Sequence, residues 1–275
     1  MTHANETHPV TSIVFAAGKG SRMRGYSGNK TLLPLISSAA NPYEGDRPLL
    51  VEVLENLPPG PKGIVVHHRA EDVQEATAAY SCTYCFQPET NGTGGALLAA
   101  LPFLESVGTE EVIITMGDVP LIRPETYRRL LRSLGQRHLA VLAFDPRDPA
   151  QYGKLEVEGD RVLRIVEWKY WHGEQDPERR ARLNLCNAGV YGARRRPLLE
   201  CLRELEKNPH VVEKERDGRW VQIREYFLTD LVEIMNRAGY SVGLCLADEE
   251  EVLGVDTPEA LKRAQSIYAQ RRASS

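Results

Sequence analysis

Between Val10 and Asp145 the sequence alternates short β-branched runs with stretches of helical spacing, and this alternation limits the fold more than any other feature. The runs are VTSIVFA (Val10–Ala16), KGIVVHH (Lys62–His68), CTYCFQ (Cys82–Gln87), EVIITMGD (Glu111–Asp118) and RHLAVLAFD (Arg137–Asp145). Each is short, apolar and bounded by turn residues, the pattern of a buried strand. Helical spacing fills the intervals over Arg47–Leu57, Glu71–Tyr80, Gly94–Val107 and Pro124–Gly135. The last of these has proline near its start and glycine just past its end, as helix termini prefer. Strand and helix in turn predict a Rossmann-like three-layer α/β/α fold, a mostly parallel mixed sheet with helices on both faces.

After Asp145 the pattern changes. GKLEVEGDRVLRIVE (Gly153–Glu167) reads as an antiparallel hairpin turning at Glu158–Arg161, an extension to the parallel sheet. A further strand is expected over Leu183–Gly192, a helix over Tyr226–Gly239, a strand over Tyr240–Ala247 and a last helix from Thr257 to about Gln270. Thr257-Pro258-Glu259 is a good N-terminal signature for that helix. The charged stretch Lys207–Glu225 reads as an exposed excursion. With no Pro/Gly/Ser-rich linker and no repeat, residues 1–275 are expected to form a single domain with 1–9 as a flexible tail.

The formal net charge of -4 gives no general attraction to nucleic acid or to an anionic membrane, so any polyanion must be held by a local cluster. Apolar runs fall far short of a membrane span, and the polar N-terminal tail has no apolar h-region of a signal peptide. Five cysteines at irregular spacing argue against a disulfide framework. A cytoplasmic location is expected.

The first strand runs into AAGKGSRMRGYSGNK (Ala16–Lys30), where glycines at alternate positions are followed by Arg22, Arg24 and Lys30. The spacing fits neither the Walker loop nor the dinucleotide fingerprint, in which Met23 would stand at the third glycine. Glycines after a first strand still let backbone N–H groups approach a phosphate. Taken alone the loop is an ordinary β–α turn with solvated basic residues; the added cations point towards a polyphosphate.

AAGKGSRM, followed by Lys30 and LLPL, resembles the signature of sugar-1-phosphate nucleotidyltransferases, most closely the uridyltransferase domain of bacterial N-acetylglucosamine-1-phosphate uridyltransferases. The resemblance runs in order from Val10 to about Ala264. It implies that Phe15, Ala16, Ala17 and Gly18 line the nucleotide, with Arg22 on the β/γ-phosphates and Lys30 near the α-phosphate. QPETNGTGGA resembles the base-reading loop, which makes Gln87, Gly92 and Thr93 nucleotide contacts, joined by Met116 and Gly117. In MGDVPL and GVDTPE, Asp118 and Asp256 become ligands of Mg²⁺. On sequence alone Asp256 is equally a turn aspartate ahead of the last helix. YGKLEV, IVEWKY and NAGVY resemble sugar-site segments and imply contacts from Gly153, Glu167, Lys169 and Asn187. REYFLTD (Arg224–Asp230) reads as mostly architectural. Cys82-Thr-Tyr-Cys85 on a strand and His67-His68 lack the spacing of a metal or redox site, and Trp168 and Trp171 read as packing residues rather than as part of the sugar region.

Several positions depart from the resemblance. One extra residue separates Arg22 from Lys30, and Asn29 replaces the usual proline, so the basic loop is free to take another path. The segments 37–46 and 207–224 are long, Met116 stands where tyrosine is frequent, and Tyr170 stands where aspartate is frequent. These changes bear on which sugar is used. The implied reaction joins UTP and N-acetylglucosamine-1-phosphate, or a close sugar-1-phosphate, to give a UDP-sugar and pyrophosphate. Because the phosphomonoester is already largely dianionic at neutral pH (second pKa about 6), no side-chain base is needed. Alternatives are another pair within the same chemistry, CTP with a polyol phosphate or GTP with molybdopterin, and a non-catalytic nucleotide-sugar sensor. The acetyltransferase half of the bifunctional relatives is expected to be absent, and the oligomeric state is left open.

Overall fold

In the computed structural model the described residues are 8–148, 152–171, 176, 178, 183–216 and 219–273, the side chains of Lys169 and of residues 214–219 excepted. The expected tail 1–9 therefore lies almost wholly outside them. Among the described residues there are thirteen strands: β1 (Thr11–Phe15), β2 (Pro34–Ser37), β3 (Gly45–Pro48), β4 (Lys62–Val66), β5 (Cys82–Phe86), β6 (Glu111–Met116), β7 (Leu139–Phe144), β8 (Lys154–Glu158), β9 (Arg161–Val166), β10 (Cys186–Arg194), β11 (His210–Arg216), β12 (Arg219–Glu225) and β13 (Val242–Leu246). Nine of them make one sheet in the order β5-β4-β1-β6-β10-β7-β13-β9-β8. Strands β5, β4, β1 and β6 run parallel, as do β7 and β13, while β10 is antiparallel to both β6 and β7. The β8–β9 hairpin, turning at Gly159 with φ +60°, closes the far edge in antiparallel pairing. The predicted α/β/α fold with its antiparallel extension is the fold observed.

Strand alternation explains the three layers. Along β1, Ile13 and Phe15 enter one buried apolar cluster while Val14 and Ala16 enter the other. Strand β7 repeats the pattern, with Leu139, Val141 and Ala143 on one face and Ala140, Leu142 and Phe144 on the other. Both faces are thus covered, and β1 and β7 are buried at every position, as central parallel strands require. Helices Leu49–Asn56 and Pro124–Arg132 cover one face, and helices Thr93–Ala99, Arg195–Lys207 and Asp230–Arg237 cover the other. A third, smaller cluster of Met23, Leu33, Leu35, Leu121, Val255 and Leu261 seats the last helix, Pro258–Ala273, against the loop after β1. Thr257 caps that helix as expected, its Oγ1 accepting from Ala260 N at 3.2 Å.

One expectation is revised. The helix expected over Gly94–Val107 is two helices, Thr93–Ala99 and Leu101–Ser106. Pro102 has no N–H to continue the first ladder, so it opens a new helix instead. The charged excursion is exposed as expected, with Val211 and Trp220 open to solvent, and is built as an antiparallel ribbon, β11 paired with β12 from His210↔Glu225 to Arg216↔Arg219. The long segment 37–46 likewise joins a small ribbon, β2 with β3. No helix among the described residues is long and apolar enough to cross a membrane.

The sheet order places the candidate site. After β1 the chain pairs β4 and β5 on one side and then crosses to β6 on the other. The strand order thus reverses at β1, and ligands of open α/β sheets bind at the carboxyl ends of such strands.

Candidate functional site

At that reversal lies a cavity of about 460 Å³ lined by the ends of β1, β6 and β10 and the loops that follow β1 and β5. Among the lining residues are Phe15, Ala17, Gly18, Lys30, Gln87, Gly92, Thr93, Met116, Asp118, Asn187 and Asp256, all expected from sequence. Register brings the strand ends together, since Phe15 pairs with Met116. Asp118 follows directly, and its carbonyl oxygen accepts from Val255 N at 2.9 Å, which carries Asp256 to the same place.

Lys30 Nζ makes ion pairs with both Asp118 and Asp256. The Lys30 and Asp118 side chains are only 14% and 16% exposed, so their pair is sheltered, while Asp256, 35% exposed, forms the solvent side of the triad. Burial lowers the Lys30 ammonium pKa, but the charges and hydrogen bonds of Asp118 and Asp256 outweigh that and hold it above the ordinary lysine value. Arg22 pairs with the outer oxygen of Asp256 at 2.9 Å while its own side chain stays 61% exposed. An exposed pair of this kind is worth about 0–1 kcal/mol, so Arg22 can leave Asp256 at little cost. Two cations and two carboxylates make a formally neutral cluster, of which Lys30, Asp118 and Asp256 line the cavity and Arg22 stands outside its lining.

The loop after β5 shapes the opposite wall. Gln87 is buried, and its Nε2 donates to Asn91 Oδ1 at 2.9 Å and to Gly92 O at 3.3 Å. Both amide protons are spent inside the protein, and the carbonyl oxygen is what remains for a ligand. Asn91 was not expected from sequence; it orients Gln87 and lies against Gly95, where a Cβ would meet its Oδ1 at 1.8 Å. The segment REYFLTD braces this wall: Tyr226 O accepts from Gly94 N at 2.9 Å, and Thr93 Oγ1 accepts from Leu228 N at 3.2 Å.

The third wall comes from β10, whose register slips between Asn187 and Tyr191. The slip, with Gly189 at φ +73°, turns Asn187, Ala188 and Gly189 into the cavity. Asn187 Oδ1 accepts from Gly189 N and its Nδ2 donates to Tyr191 Oη, both at 2.9 Å, so one amide proton and one lone pair stay available. Its backbone N donates to Gly153 O at 2.9 Å.

Of the other expected residues, Ala16, Arg22, Gly117, Gly153 and Glu167 are not among those lining the cavity. Ala16 and Gly117 lie behind its wall: Ala16 is buried in the core, and Gly117 N donates to Phe15 O at 2.9 Å. A Cβ on Gly117 would come 2.9 Å from that same oxygen, which explains the glycine by packing. Glu167 lies beyond the rim, where Oε1 accepts from Thr229 Oγ1 at 2.8 Å and Oε2 would sit 3.8 Å from a Cβ on Gly153. Glu167 also lines a neighbouring cavity of about 620 Å³ with Thr229, Asp230 and His210. The side chain of Lys169 lies outside the described residues. Sequence reasoning did not single out Thr31, Tyr152 or Gly189 as lining residues; Gly189, inside an otherwise strand-like run, carried the one usable signal.

Asp118 and Asp256 present oxygen atoms only, the donors a hard cation takes, and two carboxylates leave most of its coordination to phosphate oxygens and water. Among the described residues no group of three or more His, Cys, Asp or Glu converges as a closed metal cage. The donor set therefore fits a Mg²⁺ shared with a bound phosphate.

A mostly parallel sheet whose strand order reverses over a sheltered lysine and two carboxylates, with an arginine beside them, is the frame of a nucleotide-handling α/β protein. The chain belongs to the MobA-like NTP transferase domain family, whose sequence model matches residues 12–218. It is 35% identical over 269 residues to the bifunctional protein GlmU of Cereibacter sphaeroides and 33% identical over 272 residues to that of Rhodopseudomonas palustris. Each alignment takes in 96% of this chain, but the chain spans only 53% and 54% of those relatives. Among solved structures the fold matches CMP:2-keto-3-deoxy-manno-octonic acid synthetase complexed with CTP, with TM-score 0.64 and 17% identity over 96% of this chain and all of that one. It also matches a nucleoside-diphosphate-sugar pyrophosphorylase from Vibrio cholerae, with TM-score 0.64 and 17% identity over 92% of this chain and 99% of the other.

Proposed function

We propose that the chain transfers a uridylyl group from UTP to N-acetylglucosamine-1-phosphate or a close sugar-1-phosphate, releasing pyrophosphate. The observation that carries this reading is the sheltered Lys30 between Asp118 and Asp256, in the same cavity as Gln87. The first group handles phosphate, and the second offers a single acceptor. Uracil presents an N3–H that Gln87 Oε1 can accept, whereas cytosine has no proton at that position. The GlmU relatives support a sugar-1-phosphate acceptor. The synthetase crystallised with CTP keeps cytidylyl transfer as the second reading.

In this reading the backbone of Ala17 and Gly18 approaches the triphosphate and Arg22 takes its outer phosphates. Lys30 stabilises the α-phosphate as the sugar phosphate, already an anion, attacks in line. Asp118 and Asp256 would hold Mg²⁺, which supplies charge neutralisation between the two phosphates. Asn187 offers its free amide proton and lone pair to sugar hydroxyl or N-acetyl groups, and Gly153, whose carbonyl oxygen holds Asn187 N, stays assigned to the sugar side. Glu167 and Lys169 stay assigned to the far side of the sugar. No residue is needed as a base, which fits a cavity that Lys30, Asp118 and Asp256 line and in which no serine or cysteine is found among the described residues.

The test is pyrophosphate release measured across four nucleoside triphosphates and a panel of sugar-1-phosphates with Mg²⁺. UTP with N-acetylglucosamine-1-phosphate is expected to give the highest kcat/KM. A preference for CTP would move the reading to cytidylyl transfer. No release with any pair, together with undiminished UTP binding, would leave a sensor.

A further inference from the structure

The one extra residue before Lys30 lengthens the basic loop, and something must fix where that lysine returns. Asn29 stands immediately before it and is fully buried. Its Nδ2 donates to Ala16 O at 2.8 Å and to His68 O at 2.9 Å. Its Oδ1 accepts from Thr31 N at 3.0 Å and from Thr31 Oγ1 at 2.8 Å. Donors and acceptor are thus all used, on three separate pieces of chain. Ala16 follows β1, where the loop departs, and His68 follows β4. Thr31 belongs to the short 3₁₀ turn Lys30–Leu32 that Asn29 caps. The loop therefore leaves at Ala16 and is pinned to the same residue on return. Gly20 (φ +62°) closes the fit, since a Cβ there would lie 3.1 Å from Lys30 Cβ.

We infer that Asn29 is a positioning residue that latches the phosphate loop and sets Lys30 between Asp118 and Asp256. The inference rests on the transferase reading above. The proline that usually stands here in the resembling family has no side-chain donor or acceptor and could form none of the four bonds. Asparagine has the two donors and the acceptor that the site uses. Aspartate would keep the acceptor for Thr31 but face the carbonyls of Ala16 and His68 with lone pairs, leaving buried acceptors without donors. Ala16 O and His68 O are thus the bonds that distinguish a latch from a simple cap.

The experiment is a double-mutant cycle of Asn29→Ala with Lys30→Ala. It is read both as kcat for pyrophosphate release and as UTP affinity by calorimetry, which needs no turnover. Melting temperatures are recorded for every variant. With Lys30 present, Asn29→Ala is expected to lower kcat by about 10²-fold, the scale of a displacement of about 1 Å, with the sugar-phosphate KM little changed. With Lys30 absent, the same substitution should cost less than about twofold, because residues that act through one group are not additive. Asn29→Asp, nearly isosteric, should resemble Asn29→Ala in kcat, and it replaces that variant in the cycle should the alanine protein fail to fold. Additive losses in the cycle, or a lower melting temperature with kcat unchanged, would overturn the latch. Wild-type-like turnover of Asn29→Asp would reduce Asn29 to a cap. A wild-type protein that neither binds UTP nor releases pyrophosphate would fail the transferase reading instead, and is told apart by that control.

Discussion

Two carboxylates facing one pocket repel each other unless a cation lies between them, and in this chain Lys30 is that cation. The arrangement has two measurable consequences. Lys30→Ala removes the charge nearest the α-phosphate in the proposed complex, so kcat should fall by about 10²-fold or more, with a smaller change in the sugar-phosphate KM. Near-normal turnover would remove Lys30 from the mechanism. The same substitution leaves Asp118 and Asp256 without their buried partner. The nucleotide-free protein should then bind Mn²⁺ about tenfold tighter or more, read by the free-ion signal in electron paramagnetic resonance. Unchanged Mn²⁺ affinity would mean that the two aspartates are not where the metal binds.

At the scale of elements, backbone geometry limits the loop after β5 as much as its side chains do. Gly92 adopts φ +94° and ψ 174°, a region essentially reserved for glycine. A Cβ there would also meet Tyr226 O at 2.3 Å. Gly92→Ala should therefore destabilise the protein by about 1–3 kcal/mol from backbone strain, before any clash is added. Because Gly92 O accepts one of the Gln87 amide protons, the same variant should raise the KM for UTP more than that for the sugar phosphate. The urea midpoint and the two KM values check this, and a wild-type midpoint would contradict the assigned conformation. The local pattern could name this loop but could not give its conformation, because the oxygen that excludes a side chain comes from Tyr226, far along the chain. The same limit applies to the split helix. Pro102 was visible, yet whether it kinks or restarts a helix depends on the core that Phe103 and Leu104 must reach.

For the molecule as a whole, the sheet decides which groups meet solvent. All five cysteines are free thiols, four of them buried and Cys82 half-buried. Burial pushes the Cys85 thiol up to about 11, and burial, with the nearby charges of Glu200 and Glu204, pushes Cys201 to about 11. Burial also raises Cys82 and Cys186. Raised thiol pKa values mean that these groups stay protonated, and so poorly nucleophilic, at pH 8, and that reactivity grows only as pH climbs towards those values. The native protein should thus react slowly with a disulfide reagent at pH 8, and all five thiols should react at once in denaturant. Rapid native labelling of Cys85 or Cys201 would contradict the packing.

The sequence by itself determined what depends on neighbours along the chain. Hydrophobic period fixed the parallel α/β half and the β8–β9 hairpin, since the core face of each strand is written in alternation. Glycines and cations marked the loop after β1, and Asp118 was legible because an acid ended an apolar run. Only the tertiary structure decided what depends on distant partners. Strand β10 inserts antiparallel between β6 and β7, and its slipped register, which the sequence hints at only through Gly189, turns Asn187 into the cavity. Asp256, on sequence as good a turn residue as a ligand, reaches Asp118 because Val255 N bonds to the carbonyl of Asp118. Asn29 looked like a departure from the resembling pattern. Its four hydrogen bonds come from both ends of the loop and from the end of β4, and no local pattern records where three such pieces of chain will meet.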